Sequence, residues 1–228
     1  MLQTLEQIQN SIKHTITPLC PIFGQCGGCQ YQDIPYREEL RIKEEYLQHT
    51  LLKSTTIPLS LFEPIEASPK EYYYRNRLDL KIIRTKNKQI QMGFSPESGK
   101  RLIPSNTCFI ARKEISDFLP ELLQQASEKL TNKYRQANLV IRTGDDGRIF
   151  WGGIGRRSLE LGEEDYLWTE IKGRKIFYSL DTFFQANLSI LPKLFKRLEE
   201  FKTTFKSNRF EPCSYLINLR NQNRGFYP

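Results

Sequence analysis

CPIFGQCGGCQYQ, residues 20–32, places three cysteines within ten residues, and a fourth follows much later in the chain. The four candidate metal ligands, Cys20, Cys26, Cys29 and Cys108, follow the pattern C-x5-C-x2-C-x78-C. Thiolates are soft ligands, and four of them suit either a tetrahedral zinc ion or a cubane iron–sulfur cluster. Three close cysteines and one distant cysteine favour the cluster, because structural zinc sites more often use two separated C-x2-C pairs. The alternative is a set of free, buried cysteines.

The composition around this motif favours metal binding over disulfide formation. Hydrophobic residues make up 39% of the 228 residues, which is enough for a packed core. The sequence shows neither a secretory signal pattern nor an apolar run near the roughly 18–20 residues that span a bilayer. We therefore expect a cytoplasmic protein with no membrane association and reduced cysteines. The net charge of +8 favours a polyanionic partner.

Hydrophobic periodicity predicts helices and antiparallel hairpins around the distant cysteine. Apolar residues at helical spacing predict helices over residues 1–15, 35–53, 112–131 and about 191–201. Alternating apolar residues predict hairpins that join 78–82 to 90–94, 139–143 to 148–152, and 166–171 to 174–180. Pro120 conflicts with an uninterrupted helix. The helix over 35–53 is expected to bury one face, formed by Tyr36, Leu40, Lys43, Leu47 and Leu51.

These elements predict an α+β fold, with a Cys-rich segment followed by a central antiparallel sheet and flanking helices. We expect an N-terminal cysteine-rich segment and helix over residues 1–60, an iron–sulfur segment if the four cysteines hold a cluster rather than zinc. A central α+β domain over 61–187 would contribute Cys108 to the same centre. A linker helix is expected over 188–205, followed by an irregular tail over 206–228.

A second candidate site lies where Arg75, Asn76 and Arg77 follow three consecutive tyrosines. Guanidinium groups beside aromatic rings suit the phosphates and unstacked bases of RNA. The alternative is a solvated strand start with ordinary tyrosine packing.

Four stretches of this sequence, in order, resemble the iron–sulfur branch of the RNA (uracil-5-)-methyltransferases, whose substrate is 23S ribosomal RNA. CPIFGQCGGCQYQDIPYREELRIK, residues 20–43, is similar to the opening of that family, and EYYYRNRLDLKI, residues 71–82, to its tyrosine–arginine–asparagine–arginine stretch. QMGFSPESGKRLIPSNTCFI, residues 91–110, resembles the segment with the fourth cysteine. LDTFFQAN, residues 180–187, resembles the phenylalanine–glutamine segment that precedes the catalytic domain.

The resemblance implies a cofactor set, a partner and a reaction. It implies a [4Fe–4S] cluster on the four cysteines and S-adenosyl-L-methionine as methyl donor, with Gln185 in contact with that cofactor. It also implies that an RNA, which is ribosomal RNA in this branch, is methylated at C5 of a uridine. In the family's reaction, a cysteine thiolate adds to C6, C5 attacks the methyl group, and a carboxylate removes the C5 proton. The target base must leave its stack to be reached.

The sequence departs from the family after Asn187, which 41 residues follow. A doubly wound cofactor-binding domain needs on the order of 100 residues or more. We therefore assign no catalytic residue, leave Cys213 without a role, and expect a truncated or frameshifted chain that is inactive alone. The alternative function is a non-catalytic RNA-binding module with a structural four-cysteine metal site.

Overall fold

The computed structural model describes residues 12, 14–96, 101–130, 134–153, 166–180 and 182–204. Nearly all of the predicted helix over residues 1–15, and the predicted tail with Cys213, lie outside the described residues. The chain divides into two compact units, residues 1–190 and residues 191–228. In the second unit, the structure describes one helix, and the functional residues predicted from the sequence all lie in the first.

The described helices and strands follow the predicted order. The helices are α1 (Tyr36–Ser54), α2 (Lys113–Lys129) and α3 (Leu191–Thr204). The strands are β1 (Arg77–Arg84), β2 (Ile90–Phe94), β3 (Ile103–Pro104), β4 (Gln136–Thr143), β5 (Ile149–Gly153), β6 (Leu167–Ile171) and β7 (Arg174–Tyr178). The prediction of mixed helices and antiparallel sheet is therefore confirmed, and so are the three predicted hairpins.

Five strands form an antiparallel sheet in the order β3-β2-β1-β4-β5. β1 lies at its centre and buries Leu78, Leu80 and Ile82 on one face, as period-two alternation requires. β2 and β3 approach closely at Gly93, where a Cβ atom would lie 2.0 Å from the carbonyl oxygen of Ile103. A residue without a side chain is therefore needed at position 93 for this pairing.

The main core lies between the five-stranded sheet and α2. Ile115, Leu119, Leu122 and Ala126 of α2 are buried against residues of β1 and β4. Pro120 lies inside α2 and is exposed. The helix continues through Pro120 because the buried residues on either side of it, Leu119 and Leu122, hold both halves against the sheet. The predicted conflict at Pro120 therefore does not end the helix.

The extent of α1 was predicted closely, but its buried face was not. Ile42 and His49 are the buried residues of this helix, whereas Leu47 is 53% exposed. Ile42 packs in a small cluster with Ile34, which lies just before the helix. The contact with Ile34 determines which face of α1 is buried. The helix has apolar residues on two faces, and the face with Ile42 is the one that packs against another residue.

The second sheet is the hairpin of β6 and β7, joined by Lys172 and Gly173. Both residues have positive φ angles, 52° and 73°, which is the geometry of a type I′ hairpin turn. Gly144, just after β4, allows the backbone to approach β6 closely. A Cβ atom at this position would lie 2.5 Å from the carbonyl oxygen of Trp168, which is too close for a side chain.

Candidate four-cysteine metal centre and the segments that hold it

Cys20, Cys26, Cys29 and Cys108 line the same cavity, whose volume is about 250 Å³. All four are free, partly buried thiols. Apolar side chains, among them Ile22, Phe94 and Ile110, form much of the remaining wall. The structure therefore brings together the three clustered cysteines and the distant one, which are separated by most of the first half of the chain.

Backbone hydrogen bonds wind the loop that carries the first three cysteines. The N–H of Phe23 donates to the carbonyl oxygen of Cys20 over 3.1 Å, and the N–H of Cys26 donates to that of Ile22 over 3.0 Å. The N–H of Gly27 then donates to the carbonyl oxygen of Ser95 over 3.1 Å, just after β2. The loop is thus fixed both to itself and to the five-stranded sheet.

Cys108 is held from the other side by the first turn of α2. Its N–H donates to the Oγ of Ser116 over 3.0 Å, and its carbonyl oxygen accepts from the N–H of Ala111 over 3.2 Å. Cys108 also packs against the main core. Its position is therefore set by the fold of the central sheet and α2, independently of the cysteine loop.

Burial and mutual repulsion favour the protonated form of three of the thiols in this cavity. Burial raises the pKa of Cys26, Cys29 and Cys108, and the thiol of Cys20 raises the pKa of each of them further. Arg75 lines the same cavity and acts in the opposite direction on the pKa of Cys29. Four neighbouring thiolates repel one another, so a metal that replaces their protons would relieve both the repulsion and the burial cost.

Four thiols around one cavity are a donor set that suits either a zinc ion or an iron–sulfur cluster. A zinc ion requires four ligands that meet at one point, with zinc–sulfur distances of about 2.3 Å. Among the described residues, no group of three or more His, Cys, Asp or Glu side chains is arranged to hold a metal ion. The four cysteines line one cavity, and their side chains do not meet at a single point.

The structure places the three predicted RNA-binding residues in three different environments. Arg75 lines the cysteine cavity, and its Nε donates to the carbonyl oxygen of Arg77 over 2.9 Å. Asn76 is fully buried, so its side chain cannot contact RNA in this conformation. Arg77 pairs with Asp79, with a shortest distance of 2.8 Å, and an RNA phosphate would have to compete with that pair.

Gln185 is exposed, in a segment that several buried groups hold in place. Arg142, buried completely, donates from Nη1 to the carbonyl oxygen of Thr182 over 2.8 Å. The rings of Phe184 and Tyr178 stack with centroids 4.3 Å apart. Gln185 is not among the residues that line the cysteine cavity, so the structure shows two separate candidate sites.

Sequence reasoning missed two residues that organise the second site. Arg142 interrupts an apolar strand, and an arginine at a position where a buried residue is expected is a recognisable signal of a structural role. The hydroxyl of Tyr178 donates to the carbonyl oxygen of Thr143 over 3.3 Å, and it accepts from the side-chain Nδ2 of Asn76 over 3.4 Å. Nothing in the local sequence distinguishes Tyr178 from other strand tyrosines.

Comparisons with known proteins place the chain among RNA methyltransferases. It is 31% identical over 179 residues to an uncharacterized RNA methyltransferase of Clostridium tetani. The alignment covers 72% of this chain and 38% of that protein. It is 30% identical over 122 residues to the 23S rRNA (uracil(1939)-C(5))-methyltransferase RlmD of Haemophilus parainfluenzae. This alignment covers 53% of this chain and 28% of the relative. The chain thus spans well under half the length of these relatives. No family model matches it.

A solved structure has a related fold. The tRNA (uracil-54, C5)-methyltransferase of Pyrococcus abyssi, crystallised with S-adenosyl-L-homocysteine, matches 79% of this chain and 52% of its own chain. The TM-score is 0.57 and the sequence identity is 18%, so this likeness concerns the fold. Among the described helices, none is long and apolar enough to cross a membrane. On its sequence relatives, the chain belongs to the RNA (uracil-5-)-methyltransferase family.

Proposed function

We propose that this chain provides the cluster-binding and central parts of an enzyme that methylates C5 of a uridine in RNA, in 23S ribosomal RNA. The observation that carries the proposal is the convergence of Cys20, Cys26, Cys29 and Cys108 on one cavity. The relatives are named as RNA methyltransferases, and several of them as enzymes of 23S ribosomal RNA.

In this proposal, the four cysteines hold a [4Fe–4S] cluster, and Arg75 offsets part of its negative charge. A cluster with four protein ligands has no open iron position for a substrate, so its contribution is structural. The cluster would join the loop of residues 20–29 to Cys108, which is itself hydrogen-bonded to the first turn of α2. These residues are far apart in the sequence, and a group that binds only their folded arrangement stabilises the folded state.

Gln185 is the residue proposed to contact S-adenosyl-L-methionine, and the tethers on its segment support that role. An exposed amide on a segment held by Arg142, Asn76 and Phe184 is oriented before the cofactor arrives. Less entropy is then lost on binding. The RNA contacts are assigned to Arg77 and Arg75, while Asn76 supports them from inside the fold.

The described residues supply binding groups, and we assign no group among them to the methyl-transfer step. Anaerobically purified chain should therefore bind a 23S ribosomal RNA transcript with an affinity that falls steeply as salt is raised. Incubation with S-adenosyl-L-methionine carrying a tritiated methyl group should yield no 5-methyluridine above a reaction without protein. Formation of 5-methyluridine would overturn this division of roles, and loss of RNA binding would overturn the proposal itself.

A further inference from the structure

A second cavity lies beside the cysteine cavity and has no role in the function proposed above. It is an open groove of about 530 Å³ between α1, the cysteine loop and residues 68–74. Its size is within the range of small-molecule and nucleotide sites. Gly27, Gly28 and Cys29 form part of the wall of both cavities. Its most distinctive lining residues are four tyrosines: Tyr31, Tyr36, Tyr72 and Tyr74.

The backbone of the three-tyrosine run directs two of its members to the groove. Tyr72 and Tyr74 both line the groove, whereas Tyr73 does not and has a positive φ of 55°. This conformation is fixed by a 3.0 Å hydrogen bond from the N–H of Tyr73 to the carbonyl oxygen of Phe109. A residue with a side chain rarely adopts such an angle, and strain of this kind concentrates at functional sites.

The other two tyrosines are fixed in position by polar contacts. The hydroxyl of Tyr36 accepts from the N–H of Ser68 over 2.7 Å, which holds the far wall of the groove against α1. The ammonium of Lys43 lies 5.1 Å from the ring centroid of Tyr31 and pairs with Glu39. The groove is therefore lined by aromatic groups that are already ordered.

The charged groups of the groove suit an uncharged ligand. Two lysines and two glutamates line it, namely Lys43, Lys70, Glu39 and Glu71, and their formal charges cancel. A groove that bound phosphates would carry an excess of positive charge. Aromatic rings together with balanced polar groups instead match a nucleobase, which has flat apolar faces and polar edges.

We propose that this groove binds an unstacked base of single-stranded RNA on its tyrosine rings, next to the cysteine loop. The inference rests on the proposed function for the class of ligand, and it adds a base-binding site that differs from the arginine contacts. Stacking on aromatic rings tolerates any base, so the groove would hold the RNA strand without selecting its sequence. RNA bound here would touch the loop that carries Cys29.

The test uses the full chain and a single-stranded, uridine-rich RNA of twelve nucleotides, with binding followed by fluorescence anisotropy. Tyr72→Ala should lower the affinity about 5- to 150-fold, the range for the loss of one stacked base. The dependence of affinity on salt should stay unchanged, because no phosphate contact is removed. Tyr72→Phe should bind nearly as well as the unaltered chain. Tyr46→Ala is the matched control, since Tyr46 is an exposed tyrosine of α1 that does not line the groove.

Photo-crosslinking gives a second readout that does not depend on a variant. The same RNA with 5-iodouridine should crosslink to Tyr31, Tyr72 or Tyr74, as identified by mass spectrometry of the digested protein. RNA binding with crosslinks outside the groove, and with full affinity in Tyr72→Ala, would overturn this inference and leave the proposed function intact. Failure of the unaltered chain to bind any RNA would overturn both.

Discussion

Asn76 donates from its backbone N–H to the carbonyl oxygen of Ala186 over 2.8 Å, which fixes the residue next to Gln185. The preceding residue, Arg75, donates from its N–H to the carbonyl oxygen of Ile110 over 2.8 Å, close to Cys108. Two adjacent residues just before β1 therefore hold the cysteine cavity on one side and the Gln185 segment on the other. The two candidate sites, although separate, depend on the same piece of backbone.

Replacement of Cys108 should remove the metal centre. Cys108→Ser takes away the ligand that joins the cysteine loop to α2, so iron and visible absorbance should fall to a small fraction of those of the unaltered chain. The free energy of unfolding should also fall, because a metal centre that forms only in the folded chain contributes its binding free energy to folding. Iron analysis and urea denaturation under anaerobic conditions measure both quantities.

Cys213→Ser is the control for that prediction, because Cys213 is not assigned to the centre. It should keep the iron content and the stability of the unaltered chain. An iron content that falls in Cys213→Ser and persists in Cys108→Ser would show that the four ligands were assigned wrongly.

Arg142 should be needed for the Gln185 segment to keep its conformation. Arg142→Met removes a buried group whose Nη1 donates to the carbonyl oxygens of Ser179 and Thr182, and these would lose their partner. Stability should fall by about 2–4 kcal/mol. The rate of amide hydrogen exchange should increase more over residues 182–187 than in the rest of the fold.

The exposed Arg148→Met is the control for Arg142. Arg148 pairs with Asp146 and donates to the carbonyl oxygen of Tyr166, and neither contact reaches residues 182–187, so its loss should leave hydrogen exchange in that segment unchanged. Equal exchange rates over residues 182–187 in the unaltered chain and Arg142→Met would contradict the positioning role.

Asp145 should make the fold less stable at acidic pH. Burial alone would raise the pKa of Asp145, but hydrogen bonds from Thr169, the N–H of Glu170 and Arg112 outweigh burial and lower the pKa. A carboxyl group with a lowered pKa stabilises the folded state above its pKa in the unfolded chain. That contribution is lost as the pH falls through the pKa of the folded state.

The corresponding measurement compares the unaltered chain with Asp145→Asn at two pH values. At pH 7, the substitution should cost roughly 1–2 kcal/mol, a value reduced for the partial exposure of the carboxyl. Once the pH lies below the lowered pKa of Asp145 in the folded state, the two proteins should have similar stability, because Asp145 is then protonated in both states. A difference that is the same at both pH values would show that the charge of Asp145 does not contribute.

The elements of the fold were predictable because each leaves a local signal. Leu78, Leu80 and Ile82 alternate with polar residues, and the structure confirms them as the buried face of β1. Asn76 lies two residues before Leu78, so the same alternation predicts that its side chain is buried as well. The polar side chain of Asn76 between two arginines masks this relation, although the residue is buried.

The remaining features depend on contacts between distant parts of the chain. Whether α1 buries Leu47 or Ile42 is decided by Ile34, and the helix sequence alone allows either. The tyrosine groove could not be predicted, because Tyr31 and Tyr72 meet only through the packing of α1 against residues 68–74. By contrast, the spacing of the four cysteines favoured a shared site, and the structure places all four around one cavity.

The most direct test of the account is the metal content of the full chain after anaerobic purification. The account predicts a brown protein that absorbs near ~400 nm, with about four irons and four sulfides per chain. A colourless protein with about one zinc per chain would contradict the cluster. Folded protein without any metal would contradict the four-cysteine centre as a whole.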